Sequence, residues 1–454
     1  MPPNHGSRVR IVTLGCAKNE VDSEEIAGVL RGSGFEIGDS HADLTVINTC
    51  GFLEAAKAES IEAIRKAVRT KGKGRVVVAG CLAQRLGAEL ERLAPGADAY
   101  VGVGQMGRFD EIARGVLGGT AQRLQVEAPH HRWADVATRA RSGRPWSAYL
   151  KISEGCDHRC TFCTIPSFRG RHVSKPLERL VDEARHLAAT GAREINLIAQ
   201  DVTQYGFDLY GRFTLPTLLR ELDAIDGIDW IRLLYFYPNR LTDEVVEAMA
   251  NLPKVLPYID IPLQHVHPET LRRMKRPWDG ERYLRLFEKL RAAMPECAIR
   301  TTFIVGFPGE TDTEFQALLD FVDAARLDRV GAFLFSREPG TPSYDMPEQV
   351  ASRVKRERYD RLMRRQQAIS LAINREWIGR RLDVLVEERK GEWMIGRSFR
   401  DAPEIDGLIY TSGEGAPGEI VSVEITDAAE YDLYAATGKA AAAPHRAMAP
   451  AKPQ

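Results

Sequence analysis

Short apolar runs alternating with amphipathic stretches dominate the first hundred residues. Residues 8–14, 44–48 and 75–79 have the apolar, β-branched character of buried strands. Residues 23–30 and 54–68 between them carry the spacing of a helix face. Alternation of this kind predicts a parallel, doubly wound sheet, because parallel neighbours need a crossover that a helix supplies. From residue 148 it resumes with six further runs, 148–153, 194–199, 231–236, 258–263, 299–305 and 330–335. Amphipathic stretches such as 176–189 and 281–294 separate them, which predicts six β/α units in a partial barrel. Residues 352–375 read as a basic helix. After residue 379 the pattern becomes short strands, 382–386, 392–396, 407–410 and 419–425, divided by turn residues, as in a small antiparallel β-barrel.

The expected division is therefore an N-terminal domain over 8–118, a linker over 119–141, a core over 142–376, a terminal barrel over 378–437 and a tail over 438–454. The tail is rich in Ala and Pro and is expected to be disordered. His130 and His131 in the linker read as solvated residues rather than metal ligands. A net charge of −1 over 454 residues excludes a general polyanion binder. The charge is uneven, however: residues 378–437 hold 13 Asp and Glu against 6 Lys and Arg. No apolar run reaches the ~18 residues that span a bilayer, and the first ten residues carry no apolar signal segment. A cytoplasmic protein with reduced or metal-bound thiols is the expectation.

Six of the seven cysteines fall into two triplets. Gly15-Cys16, Thr49-Cys50 and Gly80-Cys81 each stand where one of the first three strands ends. In a parallel sheet those ends share one edge, so Cys16, Cys50 and Cys81 are expected to meet in space. The second triplet is local, Cys156-x3-Cys160-x2-Cys163, after the first core strand. Ile165, Pro166 and Gly170 then read as a constrained turn rather than a helix. Structural zinc takes four ligands in separated pairs, and no fourth ligand follows here. An iron–sulfur cube held by three thiolates would keep one iron open for a ligand, and three unrelated reduced thiols is the remaining alternative. Cys297 stands alone before a strand and reads as packing.

In barrels of this type chemistry belongs to the loops after the strands. Those loops carry Gln200-Asp201, Tyr237-Pro238, Gln264-His265, Gly306 to Glu310 and Ser336-Arg337. The glycines of the fifth loop would let backbone approach a bound nucleoside. Thr311-x-x-Glu314 beside it is a capping box, so that loop also starts a helix.

The Cys156 loop resembles the signature of the radical S-adenosylmethionine enzymes. The strand-end cysteines before it and the all-β module after it resemble the methylthiotransferase branch, whose last module is a TRAM domain. Four stretches resemble the RimO family, which modifies an aspartate of small-subunit ribosomal protein twelve, rather than the branch that modifies a tRNA adenosine. They are residues 14–24, residues 153–156, residues 396–398 with 401–407, and residues 430–434. Ala17 stands where that family commonly has Pro. The resemblance implies two [4Fe-4S] clusters, one on Cys156, Cys160 and Cys163 and an auxiliary one on Cys16, Cys50 and Cys81. It implies S-adenosylmethionine as cofactor, with Gln200, Asp201, Gly306 and Glu310 as expected contacts. The implied reaction is methylthiolation of an aspartate β-carbon, served by an electron donor and a sulfur source. A tRNA adenosine and a non-catalytic iron–sulfur sensor or scaffold are the alternatives. The excess of acid in the terminal module favours a basic protein over a phosphate backbone.

Overall fold

A computed structural model describes residues 6–129, 133 and 139–437; His130, His131 and the tail from residue 438 lie outside the described residues. The first domain runs β1 (Arg8–Thr13), α1 (Ala17–Gly32), β2 (Glu36–Ile37), β3 (Leu44–Thr49), α2 (Glu54–Thr70), β4 (Arg75–Gly80), α3 (Cys81–Leu86), α4 (Ala88–Leu93), β5 (Ala99–Val101), α5 (Phe109–Leu117) and β6 (Leu124–Gln125). The strands form one parallel sheet in the order β2-β1-β3-β4-β5-β6. Ile26, Leu30, Phe109 and Ile112 cover one face, while Ile64, Leu82 and Leu90 cover the other, so the sheet is doubly wound. The expected linker begins inside this domain, because Leu124–Gln125 adds the sixth strand beside β5. Arg139, also placed in the linker by sequence, is buried and ion-paired to Glu24 and Glu183 at 2.5 and 2.8 Å.

The core follows as β7 (Ser147–Lys151), β8 (Ser153–Glu154), α6 (Ile165–Arg169), β9 (Val173–Ser174), α7 (Leu177–Ala189), β10 (Glu194–Ile198), α8 (Phe207–Tyr210), α9 (Leu215–Asp223) and β11 (Trp230–Leu233). It continues through α10 (Asp243–Asn251), β12 (Tyr258–Asp260), α11 (Pro268–Met274), α12 (Gly280–Ala293), β13 (Ala298–Val305), α13 (Asp312–Ala325) and β14 (Arg329–Leu334). The six expected strands are all present and parallel, in two ladders, β7-β10-β11 and β12-β13-β14. Between β11 and β12 the regular ladder is interrupted, and scattered backbone bonds bridge the seam, Leu256 N–H to Ile231 O at 2.9 Å and Phe236 N–H to Asp260 O at 2.8 Å. There Tyr235, at a φ of 69°, donates its N–H to the Asp260 side chain instead. Alternate strand residues sort to two faces. Leu150, Leu197, Ile231 and Ile299 pack outward under the helices, with Cys297 among them as packing. Tyr149, Ile198, Tyr258 and Ala298 point into the lumen, where Val21 of α1 and Leu385 and Ala402 of the terminal module join them.

Helix α14 (Ser352–Arg375) leads to β15 (Arg381–Lys390), β16 (Trp393–Arg397), β17 (Ile409–Ser412), β18 (Ile420–Ala428) and β19 (Leu433–Ala436). They close into a barrel in the order β15-β16-β17-β19-β18. Its expected antiparallel character holds except between β17 and β19, which pair in parallel. This barrel seals the amino ends of the core strands. Glu194, at the start of β10, accepts from Arg397 at 2.6 Å and Arg232 at 3.1 Å, and all three are buried. Asp401 pairs with Arg329 at 3.0 Å, and Asp406 accepts from the Tyr258 hydroxyl at 2.6 Å. Those two acids are thus spent on the joint, and the acid count of the module overstates its surface charge.

Burial alone would raise the Glu194 carboxyl, but Arg397 and Arg232 outweigh it and hold the group at about 2, below its ordinary 4.5. A depressed carboxylate contributes stability above its unfolded pKa and loses it as pH falls through the folded one. Glu194→Gln is expected to cost about 3–5 kcal/mol by leaving two buried arginines without their shared carboxylate. Denaturant midpoints measured from pH 7 downward should show that cost at neutrality, shrinking between pH 4.5 and about 2.

Candidate metal centres

β1, β3 and β4 are consecutive neighbours, with Thr13 opposite Asn48 and Thr49 opposite Gly80. Their carboxyl ends therefore lie side by side at the strand spacing of ~4.8 Å; β3 and β4 run directly into a cysteine, and β1 reaches one after Leu14 and Gly15. Cys16 caps α1, Cys50 precedes α2, and Cys81 is the first residue of α3. Two glycines let the loops touch. A Cβ on Gly15, which sits at a φ of 99°, would lie 2.7 Å from Cys50 Cβ, and one on Gly51 would lie 3.0 Å from the Leu82 backbone. Asn19 ties the three loops together. Its Nδ2 donates to the carbonyls of Leu14 and Thr49 at 2.7 and 3.1 Å, and its Oδ1 lies 3.6 Å from Cys81 Sγ.

The second triplet occupies an excursion whose base is a two-stranded ladder, β8 against β9. The chain crosses itself so tightly there that a Cβ on Gly155 would sit 2.0 Å from the Arg171 carbonyl oxygen. Cys156 N–H donates to Gly170 O at 3.1 Å, and Thr161 N–H to Met274 O at 3.1 Å, which fixes the loop at both ends. Ile165–Arg169 is a short helix rather than the expected turn. Pro166 in its first turn lacks an N–H that would be orphaned there anyway, and Gly170 ends it at a φ of 73°. His158 is committed away from the thiols. It bonds Asp201 at 2.7 Å and stacks on Tyr237 at 3.6 Å.

The short helix ties the flank of the second triplet's loop to Cys81 of the first. Arg169, six residues after Cys163, donates from Nε and Nη2 to Cys81 Sγ at 3.2 and 3.0 Å, and from Nη1 to Glu154 at 2.5 Å. The loop after β14 docks on the first domain as well, through Glu338 with Arg85 at 2.9 Å. The carboxyl edges of sheet and core thus face each other.

All seven cysteines are free thiols. Burial pushes Cys81 and Cys156 up to about 12, Cys50 and Cys163 also upward, and neighbouring cysteines of the same triplet add to the rise in each triplet. Sulfurs clustered this way become thiolates only when a cation takes the proton's place. Among the described residues no group of three His, Cys, Asp or Glu converges closely enough to hold one metal ion. Three thiols per triplet are the donor set of a four-iron cluster with one iron left open.

The four other expected contacts divide. Both oxygens of Asp201 are occupied, by Thr203 N–H at 2.9 Å and by His158 and Arg240. Glu310 accepts from Arg358 at 2.6 Å and from Gly306 N–H at 2.9 Å, so these two residues shape the fifth loop and tie it to α14. The capping box at Thr311 and Glu314 is complete. Gln200 donates to Glu154 at 3.0 Å and keeps a buried Oε1 with no partner among the described residues, so it alone of the four has a free acceptor to offer. Sequence reasoning missed Asn19, Arg169 and Arg276, whose guanidinium lies 4.2 Å from the ring centre of the loop residue Tyr237 and 3.9 Å from Cys160 Sγ. Asn19 and Arg169 stand three and six residues from a cysteine, which was the available signal.

A partial β/α barrel with a three-cysteine loop after its first strand defines a radical S-adenosylmethionine protein, and residues 150–322 match the Radical SAM superfamily model. Residues 8–102 match the model described as uncharacterized protein family UPF0004, and residues 378–437 match the TRAM domain. The ribosomal protein uS12 methylthiotransferase RimO of Moorella thermoacetica is 48% identical over 94% of this chain and 98% of its own length. That of Geobacter sulfurreducens is 46% identical over 95% and 98%. The chain belongs to the RimO family of ribosomal protein uS12 methylthiotransferases. Among solved structures, the radical S-adenosylmethionine methyltransferase TsrM of Kitasatospora setae superposes with a TM-score of 0.58 at 18% identity, covering 85% of this chain and 79% of its own, which is a likeness of fold. Among the described residues no helix is long and apolar enough to cross a membrane.

Proposed function

We propose that this protein methylthiolates the β-carbon of an aspartate in ribosomal protein uS12. The observation that carries the reading is that the carboxyl edges of sheet and core, each followed by one cysteine triplet, face each other and are bridged by Arg169 and Glu338. Cys156, Cys160 and Cys163 would hold one [4Fe-4S] cluster, and Cys16, Cys50 and Cys81 the other. Held by Cys156, Cys160 and Cys163, such a cluster would supply the one-electron reduction of S-adenosylmethionine needed to activate an unreactive carbon, chemistry that no side chain can provide. This chain's residues then position the partners. Gln200 offers its free oxygen at the crevice, Asp201 orients His158, and Tyr237 and Arg276 wall the cysteine loop. Gly306 and Glu310 support it from behind by shaping the fifth loop.

The proposed division of the chain is 8–118, 119–141, 142–376 and 378–437, with Leu124–Gln125 belonging to the first sheet. A cytoplasmic setting, an external one-electron donor and a sulfur source complete the reading. Reduced, reconstituted enzyme should be given S-adenosylmethionine with uS12 or tRNA in parallel, and the products read by mass spectrometry. Methylthiolated uS12 with unmodified tRNA is the expected outcome; the reverse would overturn the assignment.

A further inference from the structure

Lys18 is 9% exposed. Every other buried lysine or arginine among the described residues lies within 4 Å of a carboxylate. Lys18 has none. Its ammonium lies over the Tyr235 ring, 3.6 Å from the centroid, and its nitrogen is not sealed from solvent. A cation over a ring recovers about 2 kcal/mol when desolvated, whereas burying an unpaired charge costs several kcal/mol. A ligand that covers the nitrogen and excludes water must therefore bring an anion with it.

Its place says which anion. Lys18 stands in the first turn of α1, two residues after Cys16. Tyr235 lies just past β11, and Tyr237, two residues on, stacks on His158 inside the Cys156–Cys163 loop. Ala17 and Val21 of the same helix pack into the lumen beside Tyr235. Lys18 thus follows the first triplet's Cys16 by two residues, and the ring beneath its ammonium precedes by two residues the ring that stacks on the second triplet's loop.

We propose that Lys18 binds the carboxylate of the substrate aspartate, and so selects an acidic side chain over a nucleoside. The proposal rests on the function proposed above and deepens it. A carboxylate one bond from the reacting carbon would complete the ion pair that the fold leaves open, and the charge-assisted hydrogen bond would fix that carbon against rotation. An adenosine base offers neutral acceptors but no anion to answer the ammonium.

The test is equilibrium binding of uS12, and of uS12 with the modified aspartate replaced by asparagine, to the reconstituted holoenzyme and its Lys18→Met and Lys18→Arg variants. Wild type should bind the aspartate form about tenfold to a hundredfold more tightly than the asparagine form, as expected for a hydrogen bond to a charged group. Lys18→Met should lose that preference and Lys18→Arg should keep most of it. An unchanged preference in Lys18→Met would overturn the proposal, as would equal binding of both forms by wild type. Equal weakening of both forms by Lys18→Met would also overturn it, by marking a structural role. Failure of wild type to bind uS12 at all would instead count against the function itself.

Discussion

Replacing Cys156, Cys160 or Cys163 with Ala is expected to abolish deoxyadenosine formation from S-adenosylmethionine. Each thiol would hold one iron of the cluster whose open position binds that cofactor, so no side chain nearby can substitute. The loop around them is held by backbone bonds, Cys156 N–H to Gly170 and Thr161 N–H to Met274, which the substitutions leave in place. Loss should therefore come without unfolding, and the first-domain cluster should remain visible by its iron. Chromatographic quantitation of deoxyadenosine after anaerobic reduction checks it. Cleavage at the wild-type rate in any of the three would remove the loop from the chemistry.

The complementary set has a different phenotype. Cys16→Ala, Cys50→Ala or Cys81→Ala should leave deoxyadenosine formation measurable while methylthio transfer to uS12 stops. The physical reason is that the three residues follow strands of the first-domain sheet, whereas Cys156, Cys160 and Cys163 lie in the loop after β8. Arg169 is the link to watch, since it touches both Cys81 and Glu154. Removing Cys81 should thus disturb the second site more than removing Cys16 does. Product analysis by mass spectrometry reads the outcome, and full methylthiolation by any of the three would reduce that triplet to packing.

The strands and the six cysteines were legible because both signals are local. An apolar run ended by Gly-Cys or Thr-Cys marks the end of a buried parallel strand, and parallel register then brings Cys16, Cys50 and Cys81 to one edge. Short elements were not legible. Leu124–Gln125 becomes a strand only because β5 offers it an edge, and β19 pairs in parallel with β17 only because the barrel must close. Charge counting failed where geometry decides. Asp401 and Asp406 look like surface acids in sequence and serve as buried partners of Arg329 and Tyr258. Asp201 and Glu310, expected as cofactor contacts, also bond His158 and Arg358, partners that no sequence spacing announces. Lys18, Asn19 and Arg169 carry no pattern of their own, and their meaning comes from what the fold packs against them.

The central claim is that one chain carries two separate iron–sulfur centres, and metal content tests it most directly. Anaerobic reconstitution followed by iron and sulfide analysis should give about eight of each per chain, four from each cube. The Cys16→Ala/Cys50→Ala/Cys81→Ala and Cys156→Ala/Cys160→Ala/Cys163→Ala triple variants should each retain about four. About four in the wild type, or zinc in place of iron, would contradict the account.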